Sequence, residues 1–326
     1  MRAACIHAYG GPAALHVEER PAPEPGPRDV LIEVHATSVN PVDCKLRQGA
    51  MRGVLRYPMP LVLGFDVAGV VLAVGSECTR LRPGDAVYAS PDQHQIGTYA
   101  ELAVVQEAHT AKQPAGLSHT EAASLPLAGL TAWDCLEPLQ AGQRALILAG
   151  SGGVGSLAIQ LAKERGAHVI TTCSPRNDAL VRSLGADEVI DYTRQDFRDV
   201  LSGVDLVLDA LGSWSACRQV LRRGGQLRTI VSGLPPATYR WGPYLGPLTV
   251  GLKILGFQLT SLLQGVRTKN VLRQASAAHL DELSKRIAAG TLRPVLDRVM
   301  PLEEVVAAHR YSESGRARGK IVLAVR

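Results

Sequence analysis

The six cysteines, at 5, 44, 78, 135, 173 and 217, form no C-x-x-C pair, and none stands at ligand spacing from a histidine. That pattern argues against a disulfide framework and a structural zinc site, and it implies a reducing compartment such as the cytoplasm. No leader is recognisable: Met1-Arg2-Ala3-Ala4-Cys5-Ile6 runs directly into an expected strand. The net charge of +5 comes without a basic tail or an aromatic-interleaved basic patch, so nucleic acid is not an expected partner. Internal repeats and low-complexity segments are absent. A convincing membrane span is also lacking. Tyr244 to Val266 is apolar, but Lys253 interrupts it and Thr249, Gln258, Thr260, Ser261 and Gln264 dilute it. A buried edge strand or a dimer surface is the expectation there.

What is present suffices for two domains: 326 residues, 46% of them hydrophobic. Residues 1 to about 118 read as short strands with Gly and Pro punctuation, with strands expected at 30–36, 67–75, 86–88 and 97–104. At Ser118 the texture changes. Ser118 with Glu121 forms a capping box, and helices and strands then alternate. Strands are expected near 145–149, 168–172, 188–190, 204–208 and 226–231, with Leu252 to Leu263 as a sixth. That alternation gives a doubly wound parallel sheet of Rossmann type. From about 270 the pattern is helical again and ends in an apolar strand, Lys320 to Val325.

The centre of this second region is Arg144 to Gly166. An apolar run, Ala145 to Ala149, precedes Gly150-Ser151-Gly152-Gly153-Val154-Gly155, and Leu157, Ala158, Leu161 and Ala162 then recur at helical spacing. Gly150-x-Gly152-x-x-Gly155 is a dinucleotide fingerprint between a strand and a helix, as that function requires. One glycine permits the tight turn, one lets backbone N–H groups approach a pyrophosphate, and one lets helix pack on strand. The helix N-terminus adds partial positive charge.

NAD-binding versions of this unit place an acidic residue about 20 residues after the glycines, on the ribose 2′-hydroxyl. Here the second strand ends Thr172-Cys173-Ser174-Pro175-Arg176-Asn177, with no carboxylate at its tip. Ser174 can donate to a phosphate and Arg176 can pair with one bidentately, which favours NADPH.

Six segments together make the whole chain resemble the zinc-independent quinone oxidoreductase branch (zeta-crystallin-like) of the medium-chain dehydrogenase/reductase superfamily. They are Asn40-Pro41-Val42-Asp43, Pro60 to Gly69 (P-L-V-L-G-F-D-V-A-G), Pro126 to Ala132 (P-L-A-G-L-T-A), Ala149 to Gly155, Leu184-Gly185-Ala186-Asp187 and Ser314 to Lys320 (S-G-R-A-R-G-K). The resemblance implies an α/β protein with a GroES-like β-rich catalytic domain at 1–118, completed by 268–326, and a Rossmann NADP-binding domain at 119–267. It implies Tyr192 beside Ser174 at the 2′-phosphate, Thr131 near the nicotinamide, and Arg318 as a further cofactor contact. It also implies a homodimer in which the last nucleotide-domain strand meets its twin, a role that fits an apolar Leu252–Leu263.

Zinc-dependent relatives place a Cys where this chain has Asn40 and a His where it has Phe65, so no metal is expected. Without a Lewis acid to acidify an alcohol, hydride delivery to a small hydrophobic electron-poor acceptor is favoured, a quinone or an α,β-unsaturated carbonyl. Negative charge developing on the acceptor oxygen needs a donor, which could be the nicotinamide ribose hydroxyl, a backbone N–H, a water or the amide of Asn40; Asn40 and Asp43 would shape the cleft floor, with Asp43 equally able to be a structural anchor. Cys44 replaces a tyrosine that many relatives carry after N-P-V-D, so a proton donor is missing there; a packing role for the thiol is expected. Tyr239, Trp241 and Tyr244 suggest a loop over the cleft. The alternatives are an enoyl-thioester reductase and a nucleotide-binding sensor with vestigial catalysis.

Overall fold

In a computed structural model of the protein the backbone is described for residues 1–326, and side chains for all but Leu234, Pro235, Pro236 and Tyr239. The chain divides into two compact units, Met1–Leu130 with Gln274–Arg326, and Thr131–Arg273. The helix Pro126–Leu136 runs through the first boundary.

The first unit is built on a seven-stranded sheet. Its order is Leu296–Pro301, Lys320–Ala324, Asp29–Val39, Val67–Val74, Ala86–Ala89 and Thr110–Lys112, with Leu102–Gln106 also pairing Asp29–Val39. The long strand Asp29–Val39 alternates, burying Val30, Ile32, Val34 and Ala36, as a half-buried antiparallel strand should. The returning strand Lys320–Ala324 lies antiparallel to it, Ile321 opposite Val39 and Ala324 opposite Ala36, so the C-terminus completes the sheet that the N-terminal part begins. A three-stranded sheet, Leu15–Glu19, Arg2–Ile6 and Leu61–Val62, covers the same core. The strand expected at 97–104 starts later, at Leu102; Ala100 makes only an isolated bridge to Ala3. The strand Leu296–Pro301 lies in a region that read as helical, because its pattern is half-exposed and short.

The second unit holds six parallel strands in the order Glu188–Asp191, His168–Cys173, Arg144–Ile147, Val204–Asp209, Leu221–Thr229 and Arg267–Asn270. This is the doubly wound arrangement, whose strand C-terminal ends form the ligand-facing edge.

One expectation is overturned here. Leu252–Leu263 is not a strand. It belongs to a helix, Leu234–Leu263, bent at Gly242 (φ 78°, ψ 177°) just before Pro243. Tyr239, Trp241 and Tyr244 lie in that helix and not in a loop. Val250, Ile254, Phe257 and Ser261 recur at spacings of four, three and four residues and face the sheet. The sixth strand is Arg267–Asn270, a polar edge segment. A helix apolar on both faces shows no periodicity in composition, which is why it reads as a continuous apolar strand.

Candidate functional site

The fingerprint loop leaves the strand Arg144–Ile147 through Ala149, a non-glycine residue at positive φ (57°). Such a backbone is sterically costly and persists where its surroundings fix it. Here the Ala149 and Gly150 amides donate to Thr172 Oγ1 and Thr172 O, both at 3.1 Å, tying the loop to the neighbouring strand. A Cβ on Gly150 would fall 2.0 Å from Thr171 Oγ1, and one on Gly155 2.3 Å from the Ala149 carbonyl oxygen. These two glycines are demanded by the protein's own packing. Gly152 differs: a Cβ there would meet only the Ala149 oxygen, at 3.3 Å. Its missing side chain leaves room for something other than the protein.

Gly152 is also the N-cap of the helix Gly153–Glu164, with no side chain capping the first turn and no acidic residue in it. Uncapped N–H groups with positive dipole character face outward from an open glycine, a cradle that fits a pyrophosphate. Ser151, Gly153 and Val154 complete the loop, all partly exposed.

Ser174 follows Cys173, and Tyr192 follows Asp191. Cys173 and Asp191 are paired neighbours in the sheet, so Ser174 and Tyr192 stand side by side at adjacent strand tips. Tyr192 is 63% exposed and Arg176 is exposed on the turn after Ser174. Asn177, missed in the sequence, joins the parts: its buried amide Nδ2 donates to Ser151 Oγ at 2.9 Å and lies 3.4 Å from Ser174 Oγ, while its Oδ1 has no partner among the described residues. A buried amide holding the loop serine against the strand tip pre-orders the site.

In the first unit, Asn40 and Asp43 sit in a buried polar cluster. Asp66 Oδ2 accepts from Ser38 Oγ (2.5 Å), Asn40 Nδ2 (2.8 Å) and Lys320 Nζ (3.2 Å), and Asp66 Oδ1 accepts from the Leu127 amide (2.6 Å). Lys320 Nζ also donates to Asn40 Oδ1. Asn40 is thus held at both ends of its amide. Asp43 accepts from the Asn40 amide at 2.8 Å and caps the helix Pro41–Arg47; its carboxyl is buried beside the Tyr99 hydroxyl. Burial, reinforced by the nearby Asp66, pushes the Asp43 carboxyl up to about 7. Burial also pushes the Cys44 thiol to about 12, so Cys44 is a packing residue at neutral pH. Its Sγ lies 3.4 Å from His309 Nδ1, which accepts from the fully buried Arg47 at 3.1 Å. Burial and Arg47 hold His309 neutral, down to about 3.

Thr131 is buried on the helix Pro126–Leu136, and Arg318 is exposed just before Lys320. Phe65, where a zinc-binding His would stand by resemblance, packs in the apolar core at 4% exposure. The donor set around Asn40 does not fit a cation, since the Lys320 ammonium already occupies it. Among the described residues, Cys5 on the first strand, His7 just past its end and Glu18 on the second bring donor atoms within 4.8 Å of one another.

A family profile described as "Alcohol dehydrogenase GroES-like domain" matches residues 26–115, and one described as "Zinc-binding dehydrogenase" matches 184–323. The chain is 38% identical to the mitochondrial NAD(P)H oxidoreductase RTN4IP1 of Mus musculus, over 92% of this chain and 82% of the relative. It is 35% identical to the chloroplastic NADPH-dependent alkenal/one oxidoreductase of Arabidopsis thaliana, over 99% of this chain and 79% of the relative. Among solved structures, the quinone oxidoreductase from Coxiella burnetii superposes with a TM-score of 0.87 at 32% identity, covering 100% of this chain and 99% of that one. The chain therefore belongs to the medium-chain dehydrogenase/reductase superfamily, in its quinone oxidoreductase branch, and is an oxidoreductase.

Proposed function

We propose that the chain is an NADPH-dependent reductase that delivers hydride to a quinone or an α,β-unsaturated carbonyl without a metal. One observation carries the cofactor assignment: an uncapped helix N-terminus behind Gly152, the fingerprint glycine that the protein's own packing least requires. The 2′-phosphate would lie against Ser174, Arg176 and Tyr192; the tip of the strand His168–Cys173 carries no carboxylate, and Asp191 at the neighbouring tip is engaged by Thr193 and Arg194. Bound there, the cofactor supplies the hydride. Gly150, Ser151, Gly152, Gly153, Val154 and Gly155 hold its phosphates, Thr131 lies by its reactive ring, and Arg318 makes a further contact.

Asn40 and Asp43 act as positioning residues. Asn40 has both polar ends of its amide committed to Asp66 and Lys320, so negative charge developing on the acceptor oxygen is met by a backbone N–H, a ribose hydroxyl or water. The metal-free reading is supported by Phe65 in the core and by the Lys320 ammonium beside Asn40, which would repel a zinc ion. The unit Met1–Leu130 with Gln274–Arg326 serves as the catalytic domain and Thr131–Arg273 as the NADP-binding domain. A homodimer is proposed through backbone pairing at the outer edge of Arg267–Asn270, the sixth strand, in place of Leu252–Leu263, an arrangement that leaves the exposed Arg267 side chain on a face of the sheet. All six cysteines are free, in keeping with a cytoplasmic setting. The relatives named for quinone and alkenal/one reduction favour this reading over thioester reduction or vestigial binding. The test is NADPH consumption with a panel of quinones and enones. Turnover supports the reading; tight NADPH binding without turnover on any of them overturns it.

A further inference from the structure

The helix from Pro243 to Leu263 spans about 31 Å at 1.5 Å per residue. Away from the sheet it exposes Leu245, Leu248, Leu252, Leu255, Leu259 and Leu262, each between 53% and 64% exposed and spaced three and four residues apart. These leucines share one face. Gly251 and Gly256 beside them border open space. Isolated exposed leucines are ordinary, but a continuous row of six marks a docking surface.

Charge names the occupant. From Ala210 to Leu280 the chain has no Asp or Glu, yet carries seven Arg and two Lys. Cations stand at both ends of the row. At one end the Arg240 guanidinium lies 5.0 Å from the Trp241 ring centre, next to the 70% exposed Tyr244. At the other, Arg223 lies against Gly265, just past the 87% exposed Leu263, and Arg267 is exposed two residues on. We infer that this face rests on an anionic lipid surface, with the leucines in the acyl boundary, Trp241 and Tyr244 at the headgroups, and Arg223, Arg240 and Arg267 against lipid phosphates.

This composition suits a bilayer better than a second copy. Two such faces brought together would oppose like charge with no carboxylate in the stretch to neutralise it, whereas an anionic leaflet supplies the opposite sign. The helix lies on the membrane and does not cross it. Its length and composition would permit crossing, but Ile254 and Phe257 pack against the cluster that includes Trp214 and Leu227, and Val250 and Ser261 on the same face are buried. Extraction would expose that cluster. Interfacial helices of this kind seat their apolar face about 5–10 Å deep. The inference stands on the helix and its charges, independently of the proposed activity. Its consequence for that activity is access to an acceptor dissolved in the bilayer.

The experiment is co-sedimentation of the full chain with phosphatidylcholine vesicles, with or without phosphatidylglycerol, in the absence of cofactor and substrate. The full chain should pellet with the anionic vesicles at least about tenfold more strongly than with neutral ones, and raised salt should release it. Leu252→Gln/Leu255→Gln/Leu259→Gln should remain in the supernatant with an unchanged thermal midpoint, since these side chains touch solvent. Arg223→Gln/Arg240→Gln/Arg267→Gln should lose the anionic preference. The inference is overturned if the full chain stays in the supernatant, if it binds both vesicle types equally, or if the leucine variant pellets as well as the parent. It is also overturned if sedimentation equilibrium shows a dimer that the leucine variant converts to monomer, because a second copy then covers the face.

Discussion

Two glycines of one fingerprint should fail for different reasons when each becomes alanine. In Gly155→Ala the new methyl would lie 2.3 Å from the Ala149 oxygen and 2.8 Å from Gly150 Cα, both backbone atoms in a loop already held at positive φ. Overpacking of this kind costs about 1–3 kcal/mol. Helix propensity returns about 1 kcal/mol, so a net loss of up to roughly 2 kcal/mol in the free protein is expected. In Gly152→Ala the methyl meets one oxygen at 3.3 Å, and the backbone (φ −82°, ψ 176°) suits alanine. Replacing a glycine N-cap costs the free protein about 0.5–1 kcal/mol at most. Its methyl would instead stand between the helix amides and a phosphate. Loss of one charge-assisted hydrogen bond, about 1.5–3 kcal/mol, lowers NADPH affinity roughly 10- to 150-fold. Urea unfolding of both variants without ligand, and NADPH fluorescence titration, separate the two effects. Undiminished affinity in Gly152→Ala would refute the placement of the pyrophosphate. Equal destabilisation of both free variants would refute the division of labour between the glycines.

Three further outcomes are expected. Ser174→Ala/Arg176→Ala should weaken NADPH by at least about tenfold and leave NADH nearly unaffected; equal loss of both would remove the 2′-phosphate role. Lys320→Met should cost about 3–5 kcal/mol in urea unfolding, because it strands the fully buried Asp66 carboxylate beside Asn40; a change below about 1 kcal/mol would show that the cluster does not depend on the cation. Asp43→Asn should flatten the pH dependence of stability. The Asp43 carboxyl is raised from 3.8 to about 7, so the folded state keeps a proton that the unfolded chain has lost, and this contribution is full below pH 3.8 and falls as pH rises to about 7. The parent should lose about 4 kcal/mol relative to the variant across that window, measured by urea midpoints at each pH.

The nucleotide cradle was legible because its parts are local. Gly150, Gly152 and Gly155 sit within six residues of one another, between an apolar run and a helical repeat, and Ser174 follows directly from the next strand's end. The polar cluster was only half legible. Asn40 and Asp43 are three residues apart, but the residues that hold Asn40 are distant in sequence: Asp66, just before the strand Val67–Val74, and Lys320, on the returning C-terminal strand. Arg47 with His309 is hidden for the same reason. Asn177 carries no motif, and its role is visible only once the loop and the strand tip are seen together. The long helix defeated its reading by being apolar on two faces, one buried by the sheet and one not, which erases the 3.6-residue signal.

The most direct test of the reductase assignment follows the label from NADPH deuterated at the transferring position of its nicotinamide C4 to an enone, with the enzyme first dialysed against a chelator. The expected result is deuterium on the β-carbon of the product at an undiminished rate. A product without deuterium, or an activity lost on chelation and restored by zinc, would contradict metal-free hydride transfer by this chain.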